Sequence, residues 1–244
     1  MHKESMAHTA PLDRRREIRT GLKLGLGPGL GLFPMGLALG LLAIQSGLPG
    51  WAVPALSIFG YAGSLEFLMI DLLMTGTGLL TIAVTTFFVN FRHVFYAFSF
   101  PLHVVKNPIA KFYSMHALID EAYAVAAANP TGWTAPRLLA MQISMQIYWV
   151  GGGIVGVLVA WTIPGTIEGL DFALLALFIT LTLDAVRTRE QLPSLIIATI
   201  AFFAALLITP DQIIFAGMII FMALLTIRYF TAKRKGGLYD PAGN

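Results

Sequence analysis

Cysteine is absent from all 244 residues, which excludes disulfides, thiolate metal sites and cysteine nucleophiles together. Charge is scarce as well: 12% of the chain is Asp, Glu, Lys or Arg against 57% hydrophobic residues, and mean hydropathy is +0.75. A soluble domain of this size needs more polar surface than that to face water. The chain has no phosphate-binding glycine loop ending in Lys and Ser or Thr, so it is not an ATP-driven motor by itself. The shortage of charge is also concentrated. Leu24 to Leu65, Leu72 to Phe91, Leu138 to Ile167, Gln191 to Pro210 and Gln212 to Ile227 contain no formally charged residue, and each approaches or exceeds the roughly 20 residues that a spanning helix needs. The implied fold class is all-α: a polytopic integral membrane helix bundle of about seven (six to eight) segments, with broken or kinked helices near the centre.

A net charge of +3 raises the question of nucleic acid. The basic residues, however, sit at the termini and in short connections rather than on one amphipathic stripe, so they signal topology and no nucleic-acid partner is expected. Arg14, Arg15, Arg16, Arg19 and Lys23 precede the first apolar stretch. That stretch is too long for a signal-peptide core and has no clear small-residue cleavage site, so it is expected to stay as the first helix. Three regions follow: a basic cytoplasmic arm over 1–20 with a short interfacial helix near Asp13 to Thr20, a single transmembrane domain over 21–230, and a basic cytoplasmic tail over 231–244. Arg187, Arg189, Lys233, Arg234 and Lys235 are placed on the same side as the N-terminal arginines by the positive-inside rule.

The first helix is expected over about Gly21 to Ser46. Gly21, Gly25 and Gly29 recur at four-residue spacing, as do Gly27 with Gly31 and Gly36 with Gly40, which lets another backbone approach closely in lipid. Pro28 and Pro34 should kink or break it. A second stretch runs from Trp51 to Met74 and a third from Leu79 to about Leu102. Residues 112–128 form an apolar segment carrying His116, Asp120 and Glu121, and further helices are expected over Pro136 to Ile163, Phe172 to Val186, Leu192 to Ile208 and Ile213 to Phe230. Seven full crossings cannot leave both ends on one side. Either 112–128 crosses as an eighth segment, or one stretch is re-entrant and six cross fully.

The informative residues are the polar ones inside these apolar runs. Gly60-Tyr61-Ala62-Gly63-Ser64-Leu65-Glu66-Phe67 places glycines around a hydroxyl and a carboxylate, as in the unwound segments that hold substrate in transporters. Asn90, Phe91, Arg92 and His93 interrupt the third stretch, and Arg92 would lie about 20 Å from its start, well inside a hydrocarbon core of about 30 Å. A charge there costs several kcal/mol unless it faces protein or trapped water, so it marks a working site. Asp120 and Glu121 point about 100° apart on a helix, so one can serve as an N-terminal cap or a partner for Arg92 while the other faces a cavity. A zwitterionic amino acid needs both fields inside an apolar pocket. Arg92 suits the carboxylate because its planar fork binds bidentately, Glu66 or Asp120 would receive the ammonium, and His93 or a carboxylate would carry a proton. The candidate substrate-binding residues are therefore Gly63, Ser64, Glu66, Asn90 and Arg92, and the candidate proton-coupling residues are His93, Asp120 and Glu121. An intramembrane protease built on Ser64 with His93 or His116 lacks the glycine turn after the nucleophile. His93, His103 and His116 lack ligand spacing for haem or metal. No enzyme activity, cofactor or metal is expected.

At these residues the chain resembles the AzlC/BrnF family of branched-chain amino acid exporters. The likeness rests on Tyr61 to Phe67, on Asn90-Phe91-Arg92-His93-Val94-Phe95-Tyr96, on Asp120-Glu121-Ala122-Tyr123-Ala124 and on Leu170-Asp171-Phe172-Ala173, and covers roughly Thr20 to Tyr229. It implies a multi-pass protein of the bacterial cytoplasmic membrane with both termini cytoplasmic. Leucine, isoleucine, valine and often methionine would be exported by the proton motive force, with a small AzlD-like membrane subunit as partner. One departure stands out: Glu66 occupies a position where the family usually has glutamine. The rival readings are a non-transporting membrane scaffold and a passive channel.

Overall fold

The computed structural model describes residues 13–163, 165, 179, 192–210 and 213–234, and every regular element among them is helical. The helix expected over Phe172 to Val186, the residues Asp171, Arg187 and Arg189, the first twelve residues of the basic arm and the tail from Lys235 lie outside the described residues. The helices are α1 (Arg14–Gln45), α2 (Ala52–Phe59), α3 (Gly63–Met74), α4 (Leu79–Asn90), α5 (Arg92–Ser99), α6 (Pro108–His116), α7 (Asp120–Ala128), α8 (Ala135–Thr162), α9 (Leu192–Ile208) and α10 (Ile213–Arg234). Three continuous or nearly continuous stretches are long and apolar enough to cross a membrane: Arg14–Gln45, Leu79–Ser99 and Ala135–Thr162. The described residues form two compact units. One holds 13–77 with 89–165, the other 78–88 with 192–234.

In the first unit α1 and α8 lie side by side and run in the same direction. Gly21 sits against Arg137 and Ala140, Gly25 against Met141 and Ser144, Gly29 against Tyr148, Gly36 against Trp149 and Gly153, and Gly40 against Gly153, Gly156 and Val157. Lipid supplies no hydrophobic drive between helices, so contact must come from backbones close enough for dispersion and carbonyl contacts, which only glycine permits. The glycine spacing in the first helix therefore has a partner, and that partner carries matching glycines. Gly27 and Gly31 face away and meet nothing within 4 Å.

Helix α1 begins seven residues before the expected Gly21. Asp13 caps it by accepting from Arg15 N at 3.1 Å. Glu17, 7% exposed, accepts from Thr134 Oγ1 at 2.6 Å and Arg137 at 2.9 Å. The end of the basic arm is thus docked on α8. The helix also runs unbroken through Pro28 and Pro34, with α8 closely packed against it on both sides of the prolines.

Between α1 and α8 two stretches fold as short helical hairpins, on either side of the longer Leu79–Ser99 stretch. Helix α2 starts beside the far end of α8, with Gly50 against Trp161 and Val53 against Gly153. It ends at Phe59, and Gly63 at the start of α3 lies against the Trp149 ring. Helix α3 then returns, since a Cβ on Gly47 would lie 3.5 Å from Met74 Cε. The Trp51-to-Met74 stretch is therefore a hairpin with its tip at Gly60 to Ala62. Residues 112–128 are likewise not one crossing helix. Helix α6 ends at His116, Ala117 to Ile119 form a buried tip, and α7 leads away toward Thr134 beside Glu17. Helix α5 runs alongside α7, with Arg92 at Asp120 and Tyr96 on Tyr123. The two tips meet, because His116 Nε2 donates to the Ile58 carbonyl at 2.9 Å. In the second unit α9 and α10 form an antiparallel pair, with Gly217 at Ala205 and Arg228 donating to Ser194 Oγ at 2.8 Å.

Each hairpin is fastened to α8 by one buried polar cluster. Gln142 Oε1 accepts from Ser114 Oγ at 2.7 Å, and its Nε2 donates to the carbonyls of Ser114 and Ala117 at 2.8 and 3.0 Å. Glu66 does the same for the first hairpin through Trp149. Close packing between α1 and α8 makes a clear contrast. Gly40→Ala pushes a methyl onto the α8 backbone and should lower stability by about 1–3 kcal/mol. Gly31→Ala meets open space and should raise it by up to about 1 kcal/mol through helix propensity. Thermal unfolding of the two variants in detergent checks this, and equal shifts would contradict the packing described.

Candidate functional site

The candidate residues gather where half-helices begin. Gly63 and Ser64 open α3, Arg92 opens α5, and Asp120 and Glu121 open α7. A helix start presents unsatisfied N–H groups and the positive end of the macrodipole, so the starts of α3 and α7 favour negative charge, while Arg92 follows a one-residue irregularity at Phe91 whose backbone stays helical. Arg92 adds a full positive charge. Its guanidinium pairs with Asp120 Oδ2 at 2.7 Å and donates to Ser64 Oγ at 3.4 Å. The two charged side chains are 45% and 44% exposed, so a solute can reach both. Tyr96 OH donates to Asp120 Oδ1 at 2.8 Å, and its ring stacks on Tyr123 at 4.2 Å and 10°. Ser99 Oγ and Tyr123 OH, 3.1 Å apart, continue this polar line along α5 and α7.

Glu66 is elsewhere in this arrangement. It is 1% exposed, and both oxygens are occupied: Oε2 accepts from Ser57 Oγ at 2.5 Å and from Trp149 Nε1 at 3.1 Å, and Oε1 from Trp149 Nε1 at 3.0 Å and Ala62 N at 3.1 Å. Three donors, from Ser57, Ala62 and Trp149, already hold the carboxylate and no open surface reaches it, so in this arrangement Glu66 is set apart from the ammonium-binding part expected for it. Its role is to bind the loose backbone of the first tip to α8. His93 serves a similar local purpose: Nδ1 donates to the Asn90 carbonyl at 2.9 Å, satisfying the end of α4 across the break at Phe91, and its ring meets Tyr96 edge-on at 5.4 Å. Asn90 Oδ1 is buried without a hydrogen-bond partner. Glu121 is half-buried, within electrostatic reach of Asp120 and Arg92.

The structure thus brings together Ser64, Arg92 and Asp120, with Gly63 and Glu121 adjoining, and sets Glu66 behind them. Tyr96, Trp149, Gln142 and His116 also shape the site and were not among the sequence candidates. Gln142 and Trp149 had a signal, being polar atoms inside an otherwise apolar run, but nothing in the chain named their partners. Among the described residues no group of three or more His, Asp or Glu is placed to hold a metal ion.

Comparison with known proteins agrees with this architecture. The family model described as AzlC protein matches residues 28–163, from the middle of α1 to just past the end of α8, a range that includes both hairpins and the Arg92–Asp120 pair. The chain belongs to the AzlC family. An uncharacterised membrane protein of Helicobacter pylori strain J99 is 29% identical over 209 residues, covering 82% of this chain and 90% of the relative. The branched-chain amino acid transport protein AzlC of Bacillus subtilis is 23% identical over 238 residues, 93% of this chain and 92% of that protein. The inner membrane protein YgaZ of Escherichia coli is 26% identical over 185 residues, 70% of this chain and 74% of that protein. No solved structure matches. This AzlC-family chain is a multi-pass membrane protein with a transport role.

The hydrogen bonds around Glu66 can be met by glutamine as well as by glutamate. A glutamine Oε1 can accept from Ala62 N and Trp149 Nε1, while its amide donates to Ser57 Oγ, whose hydroxyl accepts as readily as it donates. Glu66→Gln should therefore fold and transport like the parent. Glu66→Ala leaves the Trp149 and Ala62 N–H groups buried and unpaired, at about 1–3 kcal/mol each. Melting temperature and transport rate of the two variants check this, and a Glu66→Gln protein that is stable but inactive would give the carboxylate a direct part in transport.

Proposed function

We propose that this chain exports hydrophobic amino acids, leucine, isoleucine, valine and methionine among them, across the bacterial cytoplasmic membrane in exchange for protons. The observation that carries the reading is the half-exposed Arg92–Asp120 pair beside the starts of α3 and α7, with Ser64 Oγ on the guanidinium. An α-carboxylate approaching Arg92 finds a planar fork, a serine hydroxyl and the positive ends of helices, and it competes with Asp120 for the same guanidinium. Asp120, once displaced, has lost its cation and gains affinity for a proton. Substrate binding and protonation are then linked at a single pair, and Tyr96, which already donates to Asp120, keeps the displaced carboxylate oriented. The similarity to the branched-chain amino acid transport protein of Bacillus subtilis supports branched-chain substrates.

The basic residues at the start of α1 and the end of α10 favour a cytoplasmic side for both termini. A small AzlD-like membrane subunit is part of the same proposal. Leucine efflux from peptide-loaded cells tests the reading. Arg92→Ala should reduce efflux at least tenfold at unchanged membrane level, Arg92→Lys should retain part of it because charge remains without the bidentate fork, and a protonophore should slow the parent. Efflux equal to the parent in Arg92→Ala would instead favour a scaffold, and efflux indifferent to the protonophore a passive channel.

A further inference from the structure

Helix α1 carries all its basic residues at one end. From Leu24 to Gln45 it has no formal charge, and that stretch rises about 33 Å, the thickness of a hydrocarbon core of about 30 Å. Just past its far end Gly50 packs on Trp161, and Trp51 and Trp161, 72% and 64% exposed, mark the membrane surface there as aromatic rings do. Lys23 therefore stands at the near boundary, and the turns before it lie in the headgroup layer. Those turns are fixed in place. Asp13 caps them, and Glu17 holds them to Thr134 and Arg137 at the start of α8. Glu17 is 7% exposed and its counter-charge is Arg137. Arg14, Arg15, Arg16, Arg19 and Lys23 are all exposed, and among the described residues none of the five makes an ion pair. Cations crowded into the first turns of a helix repel one another and the positive end of the macrodipole. Nothing on the described part of the chain offsets that cost.

The five are also ordered. At about 100° per residue, Arg15, Arg16, Arg19 and Lys23 fall within one arc of about 100°. Leu26 and Leu30, 47% and 62% exposed, continue the same arc toward the membrane centre. Gly21, Gly25 and Gly29 point the other way, into α8, and Arg14 lies at their angle, off the arc. Read from the surface inward, the arc presents cations and then leucines, the order in which a phospholipid presents its phosphate and its acyl chains. We propose that this face of α1 binds anionic phospholipid headgroups, with Arg15, Arg16, Arg19 and Lys23 on the phosphates and Leu26 and Leu30 along the acyl chains. The positive-inside rule asks only that basic residues lie on one side of the membrane; it does not ask that they share one face of a clamped helix. Because Glu17 ties these turns to α8, a lipid bound to them stabilises the folded α1–α8 pair by mass action.

The purified chain in mixed micelles of a neutral detergent and phosphatidylglycerol tests this, with phosphatidylcholine and inorganic phosphate as comparisons. The melting temperature of the parent should rise saturably with phosphatidylglycerol and not with phosphatidylcholine or free phosphate, and added salt should raise the half-saturating mole fraction. Arg15→Gln, Arg19→Gln and Lys23→Gln should each raise that fraction about fivefold, the share of one basic side chain near an anionic surface. Arg14→Gln removes the same charge off the arc and should move it less than about twofold. All four side chains are exposed, so the variants should melt with the parent in phosphatidylcholine, and each half-saturation is read from the variant's own baseline. No stabilisation of the parent by phosphatidylglycerol, equal stabilisation by phosphatidylcholine or by free phosphate, or a shift in Arg14→Gln as large as in Arg19→Gln overturns the surface.

Discussion

A helix that stops inside a membrane releases carbonyl and N–H groups that lipid cannot satisfy, and each must find a partner within the protein. This chain stops helices at Phe59 and His116 and restarts them within a few residues, and it interrupts a third for one residue at Phe91. The rest of the first unit follows from how those breaks are closed. His93 covers the Asn90 carbonyl, Gln142 takes Ser114 and Ala117, and Glu66 collects Ala62 N–H and ties it to Trp149. Each closure uses one polar side chain in an apolar surrounding, which explains why residues of that kind occur in runs that otherwise carry only aliphatic and aromatic groups.

Two of the closures reach α8, and α8 is itself held to α1 by glycine contacts along most of its length. The hairpins therefore hang from a rigid pair of parallel helices with their tips toward each other. Half-helices entering from opposite sides place several helix ends at one level, and the ends carry opposite partial charge. Charge that would be intolerable in an intact apolar helix is tolerated here. Arg92 and Asp120 neutralise one another beside two helix starts, and they remain exposed enough to exchange partners with a solute.

Composition and charge-free runs were enough to read an all-α membrane protein, because lipid imposes a minimum helix length and excludes charge. The breaks were partly legible: glycines around Ser64 and the Asn90-to-His93 interruption mark two of the places where helices are interrupted, and one of Asp120 and Glu121 was expected to cap a helix or partner Arg92. Direction was not legible. Nothing in Trp51 to Met74 distinguishes a hairpin from a crossing helix, since both bury apolar side chains and only the return of Met74 to Gly47 separates them. Glu66 misled for a related reason. A carboxylate in an apolar run looks like a ligand until its donors are seen, and those donors come from Ser57 and from Trp149, 83 residues away. Tyr61 and His116 gave no periodic signal because a hairpin tip has no period.

Exchanging the charges of the central pair separates a receptor from a simple tie. In a chain carrying both Arg92→Asp and Asp120→Arg the attraction between α5 and α7 is restored, but an anion now faces Ser64 and the start of α3 where a cation stood. Leucine efflux from peptide-loaded cells, measured with the membrane level of the protein, should stay at the level of Arg92→Ala in this double variant. Recovery of efflux to the parent rate would mean that the pair only fastens two helices together, and would contradict the account.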